Sequence, residues 1–364
     1  MSNQENPTAK SNPGVCKFKS KIGGQALIEG VMMRGIDKTA MVCRLPSGKL
    51  DLEEWPIKNG KNIPWFRKVP FLRGIFNFII SLVEGYKCLS KSADKSISED
   101  EDEKPAETEM EIIDGDKDAD NNDNALEKDE KLVAAIKEAE KPSKFEAWLD
   151  KVFGKKLMPI LTVIMSILGI VIAIGLFIYL PAFIVNQIDK LVSMPNVVKT
   201  ITEGIVKIII FICYIGLTGL MKDIGRTYEY HGAEHKTIAC YEAGEELTVE
   251  NVKKHTRFHP RCGTSFILIV LIVGIIVSSI FRFNWTNMFI RVLYKIAFLP
   301  VIVGIAYEFI RLAGKYENPF TKIFSAPGLM LQRLTTREPD DSEIECAIAA
   351  MNAVIPEDKE DDVW

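Results

Sequence analysis

Several features that identify common protein classes are missing from this sequence of 364 residues. The N-terminus, MSNQENPTAKSNPG, contains no apolar run, so a cleaved secretion signal is not expected. The seven cysteines have no regular spacing, which argues against a disulfide scaffold and favours a reducing compartment. The glycines at 23, 24 and 30 lack both the G-K-[ST] ending of a phosphate loop and a complete G-x-G-x-x-G pattern. We expect them to form a turn in a β unit.

Charge is distributed unevenly along the chain. The net charge is -4, but residues 99–130 carry most of the surplus acid and the remainder is basic without forming a concentrated patch. A nucleic acid partner is therefore not expected. The segment 96–130 has too few apolar residues to order itself and is predicted to be a disordered linker, as is the polar N-terminus, 1–20.

Four long apolar runs are predicted to cross a membrane. Each can span about 30 Å of hydrocarbon as a helix. They lie near 157–185, 201–221, 263–281 and 287–310. The last of them is charge-free only in its middle, so a helix buried in a protein core remains an alternative for it. The mean hydropathy of +0.08 conceals these runs because the acidic segment offsets them.

Lysine and arginine predict the orientation of these spans. Basic residues are frequent before the first span, between the second and third, and after the fourth, and they are sparse in the other two connections. Because basic connections stay on the cytoplasmic side, both termini and the segment 222–262 are expected to face the cytoplasm. The sequence thus predicts a multi-pass protein of the bacterial cell (inner) membrane.

Outside the spans, the pattern predicts strands first and helices later. Residues 21–62 alternate strand formers with turn residues and indicate a small antiparallel β unit. Residues 63–95 read as an interfacial or re-entrant helix, and residues 325–354 as helices with a start at Asp340. With the membrane domain at 131–354, the fold class is an α+β membrane protein with about four transmembrane helices, the N-terminal β unit and a cytoplasmic helical cap.

All four histidines lie between residues 231 and 259. His231 and His235 are four residues apart, so on a helix they share one face and can bind one metal ion. Glu234 completes an H-x-x-E-H pattern, in which the glutamate is the base for metal-activated water. His259 and Cys262 add an imidazole and a thiolate in a tight turn. These four ligands favour zinc, with Glu234 as the catalytic residue.

Alternatives to this metal site remain open. His255, Glu242 and Glu308 are reserve ligands. The histidines could instead be polar helix ends, and Glu234 could simply hydrogen-bond a ligating imidazole. Glu308 is expected to pair with Arg311, one helical turn away.

A further pair of charged residues follows the last span. Arg337 and Glu338 could reach back to the histidine segment or form an exposed ion pair.

Five motifs in order resemble a known family. They are IGGQALIEGVMMRG, HGAEHKTIACYE, HPRCGTSF, AYEFIRLAGK and PGLMLQRLTTREPDD. From residue 23 to 354 the chain resembles the YqhQ-like bacterial membrane proteins, a family of unknown function described as predicted metal-dependent enzymes. The resemblance implies an integral membrane protein with a cytoplasmic metal site at His231, Glu234, His235, His259 and Cys262.

Two functional hypotheses follow. The first is a membrane metalloprotein whose cytoplasmic zinc site hydrolyses a peptide or a lipid-linked substrate. The second is a non-enzymatic scaffold or assembly factor with a structural metal. A transporter is a weaker third, because the spans contain few charges from which to build an ion path. The expected partners are the lipid bilayer, further copies of the chain, and a membrane-protein or lipid-linked partner.

Overall fold

The structure is a computed structural model that describes residues 18–57, 65, 68–97, 157–281, 288–316, 318–358 and 362. The chain divides into two compact units, Met1–Asp102 with Phe177–Trp364, and Glu103–Leu176. Most of the predicted disordered N-terminus and nearly all of the acidic linker lie outside the described residues, and these two predictions remain predictions.

The N-terminal part is a four-stranded antiparallel sheet, as predicted. Its strands pair in sequence order: β1 Gly23–Leu27, β2 Gly30–Arg34, β3 Lys38–Arg44 and β4 Leu50–Pro56. The β1–β2 hairpin turns at Glu29, whose φ is 50°, and the turn before β4 uses Gly48 at φ 83°. Both residues adopt the left-handed conformation that tight hairpin turns need.

The rest of the described chain is helical. The helices are α1 Leu72–Ile97, α2 Leu157–Ile174, α3 Leu180–Leu191, α4 Asn196–Thr218, α5 Lys222–Glu242, α6 Val249–Lys253, α7 Gly263–Phe281, α8 Met288–Lys315, α9 Pro319–Thr335 and α10 Asp341–Val354. A π-helical segment, Gly175–Tyr179, joins α2 to α3.

Within the described part of the chain, four helical stretches are long and apolar enough to cross a membrane, which agrees with the predicted number. They are Val163–Leu191, Asn196–Thr218, Gly263–Phe281 and Ile290–Ala313. The second begins before the predicted residue 201, and α8 continues past the predicted end at 310. Only 22 % of the most apolar part of α8 is buried within the protein. This low burial fits a lipid-facing helix rather than a core helix, and these apolar helices indicate a bilayer environment.

Helix α1 is the predicted helix of residues 63–95, although it begins at Leu72 and ends at Ile97. It packs on α8, where Asn77 donates a hydrogen bond to the Tyr307 hydroxyl. Its outer face exposes large apolar side chains: Phe76, Ile79, Leu82, Val83, Tyr86 and Leu89. An amphipathic helix of this kind is typical of a membrane interface, and that placement remains a prediction.

The sheet, α5 and α10 share one hydrophobic core. Its fully buried members include Val31 and Val42 from the sheet, Tyr230 from α5, and Ile344 and Met351 from α10. The predicted start of α10 is confirmed, because the Asp340 side chain accepts from the Glu343 backbone in a capping box.

Helix α9 is longer than the sequence predicted. It starts at Pro319 rather than near 325, because Asn318 forms a capping box with Thr321 and proline is favoured in a first helical turn.

Candidate metal centre

Helix α5 presents the three residues of the H-x-x-E-H pattern close together, as their spacing predicted. The His231 and His235 rings have centroids 4.4 Å apart. His235 and Glu234 are buried, with 1 % and 4 % exposure, and His231 is partly buried. The pattern therefore lies in the interior, between α5 and the segments that pack on it.

Cys262 joins the two imidazoles from the turn that precedes α7. Its Sγ lies 3.2 Å from His231 Nε2. One ligand atom from each of His231, His235 and Cys262 lies within 4.8 Å of the other two. Residues far apart in the sequence thus form a compact group of two nitrogen donors and one sulfur donor.

Backbone carbonyls orient both imidazoles. His231 Nδ1 lies 2.8 Å from the Thr335 carbonyl oxygen, and His235 Nδ1 lies 2.6 Å from that of Arg257. A carbonyl only accepts, so each Nδ1 carries the proton and donates it. The Nε2 atoms are the remaining ligand atoms. Hydrogen bonding of the second ring nitrogen in this way is the usual arrangement for histidines that bind a metal.

The electrostatics of the group favour a thiolate. Burial alone would raise the pKa of Cys262, but the adjacent His231 and His235 imidazoles lower it well below its usual value. Conversely, burial would lower the pKa of His231, while the sulfur of Cys262 raises it to about 9. The thiolate is the form of cysteine that binds metals.

Glu234 is enclosed beside this group. Burial raises the pKa of its carboxyl group above the usual value, against the opposing effect of the two histidines. The backbone of Gly24 in β1 donates a hydrogen bond to it. A Cβ at position 24 would lie 2.8 Å from Glu234 Cδ, so any larger residue there would force the buried Glu234 side chain to shift. Sequence reasoning placed Gly24 in a turn and missed this contact.

Gly24→Ala is expected to displace the Glu234 carboxylate and to destabilise the protein by about 1–3 kcal/mol, the usual cost of overpacking. Gly23→Ala is the matched control, because no atom lies within 4 Å of a Cβ there. Thermal unfolding of the two purified variants in detergent measures the difference. Equal melting temperatures would contradict the contact.

His259, the fourth predicted ligand, lies next to the group but outside it. Its ring centroid is 5.4 Å from that of His235. Its Nε2 accepts from Arg261, 3.1 Å away, which also pairs with Glu242. Burial, followed by the positive charge of Arg261, holds the pKa of His259 well below its usual value. His259 is therefore neutral, and its Nε2 is engaged elsewhere.

Gln332 on α9 holds the His259 turn in place and was not singled out from the sequence. Its side chain accepts from the His259 backbone at 2.8 Å and donates to the His259 carbonyl at 2.7 Å. It is fully buried. One feature of the sequence could have indicated this role: Gln332 stands among apolar residues of an amphipathic helix, and a buried amide needs polar partners.

The three reserve ligands have other partners. His255 belongs to a separate group with Cys240 and Glu245, whose ligand atoms also lie within 4.8 Å of one another. Glu242 accepts from the Ser20 backbone at 2.8 Å and pairs with Arg261.

Glu308 pairs mainly with Arg73 of α1, which donates from Nε at 2.8 Å, and the backbone of Phe71 adds a bond of 3.0 Å. The expectation that Arg311 is its chief partner was wrong, because the packing of α1 on α8 places a two-pronged guanidinium donor against the carboxylate.

Arg337 reaches back toward α5, one of the two outcomes left open. Its guanidinium donates to the Gly219 carbonyl, and its backbone donates to Tyr228 at 2.9 Å. Glu338 is largely exposed and pairs with Lys236 and Arg257 at 2.7 Å.

The donor set fits zinc by its chemistry. Two imidazoles and one thiolate match the mixed nitrogen and sulfur ligands that zinc favours. If these three residues bound zinc, one position of a tetrahedral site would stay open for water or substrate. Glu234 lies close enough to interact electrostatically with all three ligands.

Comparison with known proteins places this chain among uncharacterised relatives. Residues 69–357 match the model of a protein family of unknown function, DUF1385. The chain is 31 % identical over 341 residues to the uncharacterized protein YqhQ of Bacillus subtilis (strain 168), covering 93 % of each sequence. No solved structure matches. Since the family model covers most of the chain, this protein belongs to the DUF1385 family.

Proposed function

We propose that this chain is a membrane metallohydrolase with a zinc site at the cytoplasmic ends of its spans. His231, His235 and Cys262 are the ligands and Glu234 is the general base. The observation that carries the proposal is the pair of Nδ1 bonds to backbone carbonyls, which leaves the Nε2 atoms as the ligand atoms of two rings grouped with the Cys262 sulfur. Such preorganisation is typical of metal sites and has no use in a polar helix end.

The chemistry assigned to the residues follows from their surroundings. Bound zinc would act as a Lewis acid and lower the pKa of a coordinated water molecule. Glu234, whose pKa is raised by burial, can take up a proton and release it again to a leaving group. The backbone of Gly24 holds the carboxylate through a hydrogen bond. The Thr335 and Arg257 carbonyls keep the imidazoles in the ligating tautomer.

The substrate class is a peptide or a lipid-linked molecule. Cys262 immediately precedes α7, a candidate span, so the centre lies next to the membrane boundary. The cytoplasmic placement rests on the basic residues of the segment 222–262, which resist transfer across a membrane.

Metal analysis of the detergent-purified protein tests the ligands. Wild type and Glu234→Gln are expected to hold about one zinc per chain, and His231→Ala and Cys262→Ala much less. The cobalt-substituted protein should show a thiolate-to-metal charge-transfer band that Cys262→Ala lacks. If purified wild-type protein held no stoichiometric zinc, the proposed zinc site would be wrong.

Glu234→Gln is expected to reduce turnover about 10²–10⁴-fold while keeping the metal, because general acid–base catalysis contributes that much. The probes are a mixture of fluorogenic peptides and a set of lipid diphosphates, with product release followed by mass spectrometry. Gln keeps the size of Glu and the amide can still accept from Gly24. Equal rates for the variant and wild type would exclude Glu234 as the base.

A non-enzymatic scaffold is the second candidate, favoured by the burial of the site. The ligands and their partners come from α5, α9 and the connection between α6 and α7, so a metal here would join these segments. Exogenous azide separates the two candidates. Azide should change the spectrum of the cobalt protein if a coordination position is open. If azide leaves the spectrum unchanged and substitution of His259 alters it, a closed structural site with His259 as a ligand is favoured.

A further inference from the structure

A second polar group lies inside the candidate spans. Glu203 of α4 accepts from Arg291 at 2.6 Å and also pairs with Lys295, both on α8. The side chains of Glu203 and Arg291 are 4 % and 3 % exposed. Charged groups at such positions are costly and commonly mark a functional site.

This group carries surplus positive charge. Lys207, one helical turn after Glu203, faces the same cavity. Among the described residues it has no hydrogen-bond or ion-pair partner. One carboxylate thus faces the three cations Arg291, Lys295 and Lys207. Burying unmatched positive charge is unfavourable unless an anion from outside the chain balances it.

The cavity has the lining of a site for an amphiphilic anion. Its volume is about 200 Å³. Lys207 and Lys295 supply positive charge, Glu203 supplies a carboxylate that pairs with Lys295, and Thr200 and Ser278 supply hydroxyl groups. The remaining walls are mainly apolar: Ile178, Val270, Leu271, Ile275, Leu299 and Ile302. Cations beside aliphatic walls suit a ligand with both an anionic group and hydrocarbon chains.

The cavity is distinct from the metal centre. Cys262 precedes the first residue of α7, whereas Ser278 lies in the last turn of that helix. At 1.5 Å per residue, about 22 Å of helix separates them. Lys295 likewise lies near the start of α8, and Glu203 in the first half of α4. The cavity therefore occupies the opposite end of the spans.

We propose that this cavity binds the phosphate group of an anionic membrane lipid, with Lys207 and Lys295 as the phosphate contacts and the aliphatic walls against the acyl chains. Glu203 and Arg291 form a buried pair that positions Lys295. Basic pockets between transmembrane helices bind lipid phosphates by the same combination of charge and apolar contact. The phosphate of the bound lipid would balance the positive charge of Lys207.

Native mass spectrometry and thermal unfolding in a neutral detergent test the proposal. The probes are phosphatidylglycerol, phosphatidylcholine and inorganic phosphate. Wild-type protein should retain phosphatidylglycerol at least about tenfold more tightly than phosphatidylcholine, and melt at a higher temperature in its presence. Lys207→Gln and Lys295→Gln should each lower that affinity about fivefold, since a basic residue near an anionic lipid contributes about 1 kcal/mol. Lys190 is an exposed lysine on α3. Lys190→Gln is therefore the control and should bind phosphatidylglycerol as tightly as wild type.

Unfolding without lipid shows whether the variants remain folded. Removing a like charge should leave Lys207→Gln at least as stable as wild type in detergent alone, while phosphatidylglycerol should raise its melting temperature less than it raises that of wild type. Three results would each overturn the assignment. They are equal affinity of wild type for the two lipids, wild-type affinity of Lys207→Gln for phosphatidylglycerol, and displacement of the lipid by millimolar inorganic phosphate.

Discussion

His235→Ala is expected to lower the zinc affinity of the centre by more than about 100-fold, so that the purified variant contains almost no metal. Loss of a group that merely orients a ligand costs 10–100-fold, and His235 is proposed as a ligand itself. The variant also leaves the Arg257 carbonyl without its donor, 2.6 Å away in the wild type. Zinc measured per chain after dialysis reports the outcome.

His255→Ala is the matched control for this experiment. His255 lies in the same segment but contacts Glu245 at 3.1 Å, within the separate group that includes Cys240. The His255→Ala variant should keep the zinc bound at the candidate metal centre. Equal zinc content in the two variants would show that the imidazole of His235 is a bystander, and the proposed ligand set would fall.

Gly232→Ala is expected to destabilise the fold by about 3 kcal/mol or more. Alanine normally stabilises a helix relative to glycine by about 1 kcal/mol. In α5, however, a Cβ at position 232 would lie 2.0 Å from the Arg337 carbonyl oxygen. A backbone atom cannot rotate away, so the chain at Arg337 must move and its hydrogen bonds to Tyr228 and Gly219 weaken. Thermal unfolding in detergent should show a large decrease in melting temperature.

Gly216→Ala is the control, because it also replaces a helical glycine and no atom lies within 4 Å of the added Cβ. It should be neutral or slightly stabilising. His231 and Glu234 lie close to Gly232 on α5. Gly232→Ala should therefore also lose zinc, because α5 separates from the 336–339 segment. If Gly232→Ala and Gly216→Ala melted at the same temperature, the close contact between Gly232 and the Arg337 carbonyl would be absent.

Local patterns account for the features that the sequence predicted correctly. The four candidate spans follow from uncharged apolar runs, and the shared face of His231 and His235 follows from helical spacing. The sheet and the start of α10 follow from turn and capping residues, which act on neighbours within a few positions. Each depends on residues that are close together in the sequence.

Long-range contacts were beyond these patterns. Histidine and cysteine are known metal ligands, so Cys262 could be proposed, but nothing in its neighbourhood shows that Arg261 engages His259 Nε2. The charge of Glu308 suggested an adjacent arginine, whereas helix packing selected Arg73, far earlier in the chain. The sum of many weak packing contacts decides such choices.

The sequence by itself determined the four membrane-length helices found among the described residues, and the helix that bears two imidazoles and a carboxylate on a common face. Hydropathy and helical periodicity are local properties, which is why they could be read from the sequence. Only the tertiary structure decided that Gly24 contacts Glu234, that Arg261 contacts His259 Nε2, and that Glu203 pairs with two cations of α8. These contacts join residues from different elements, and their geometry exists only once the elements are packed.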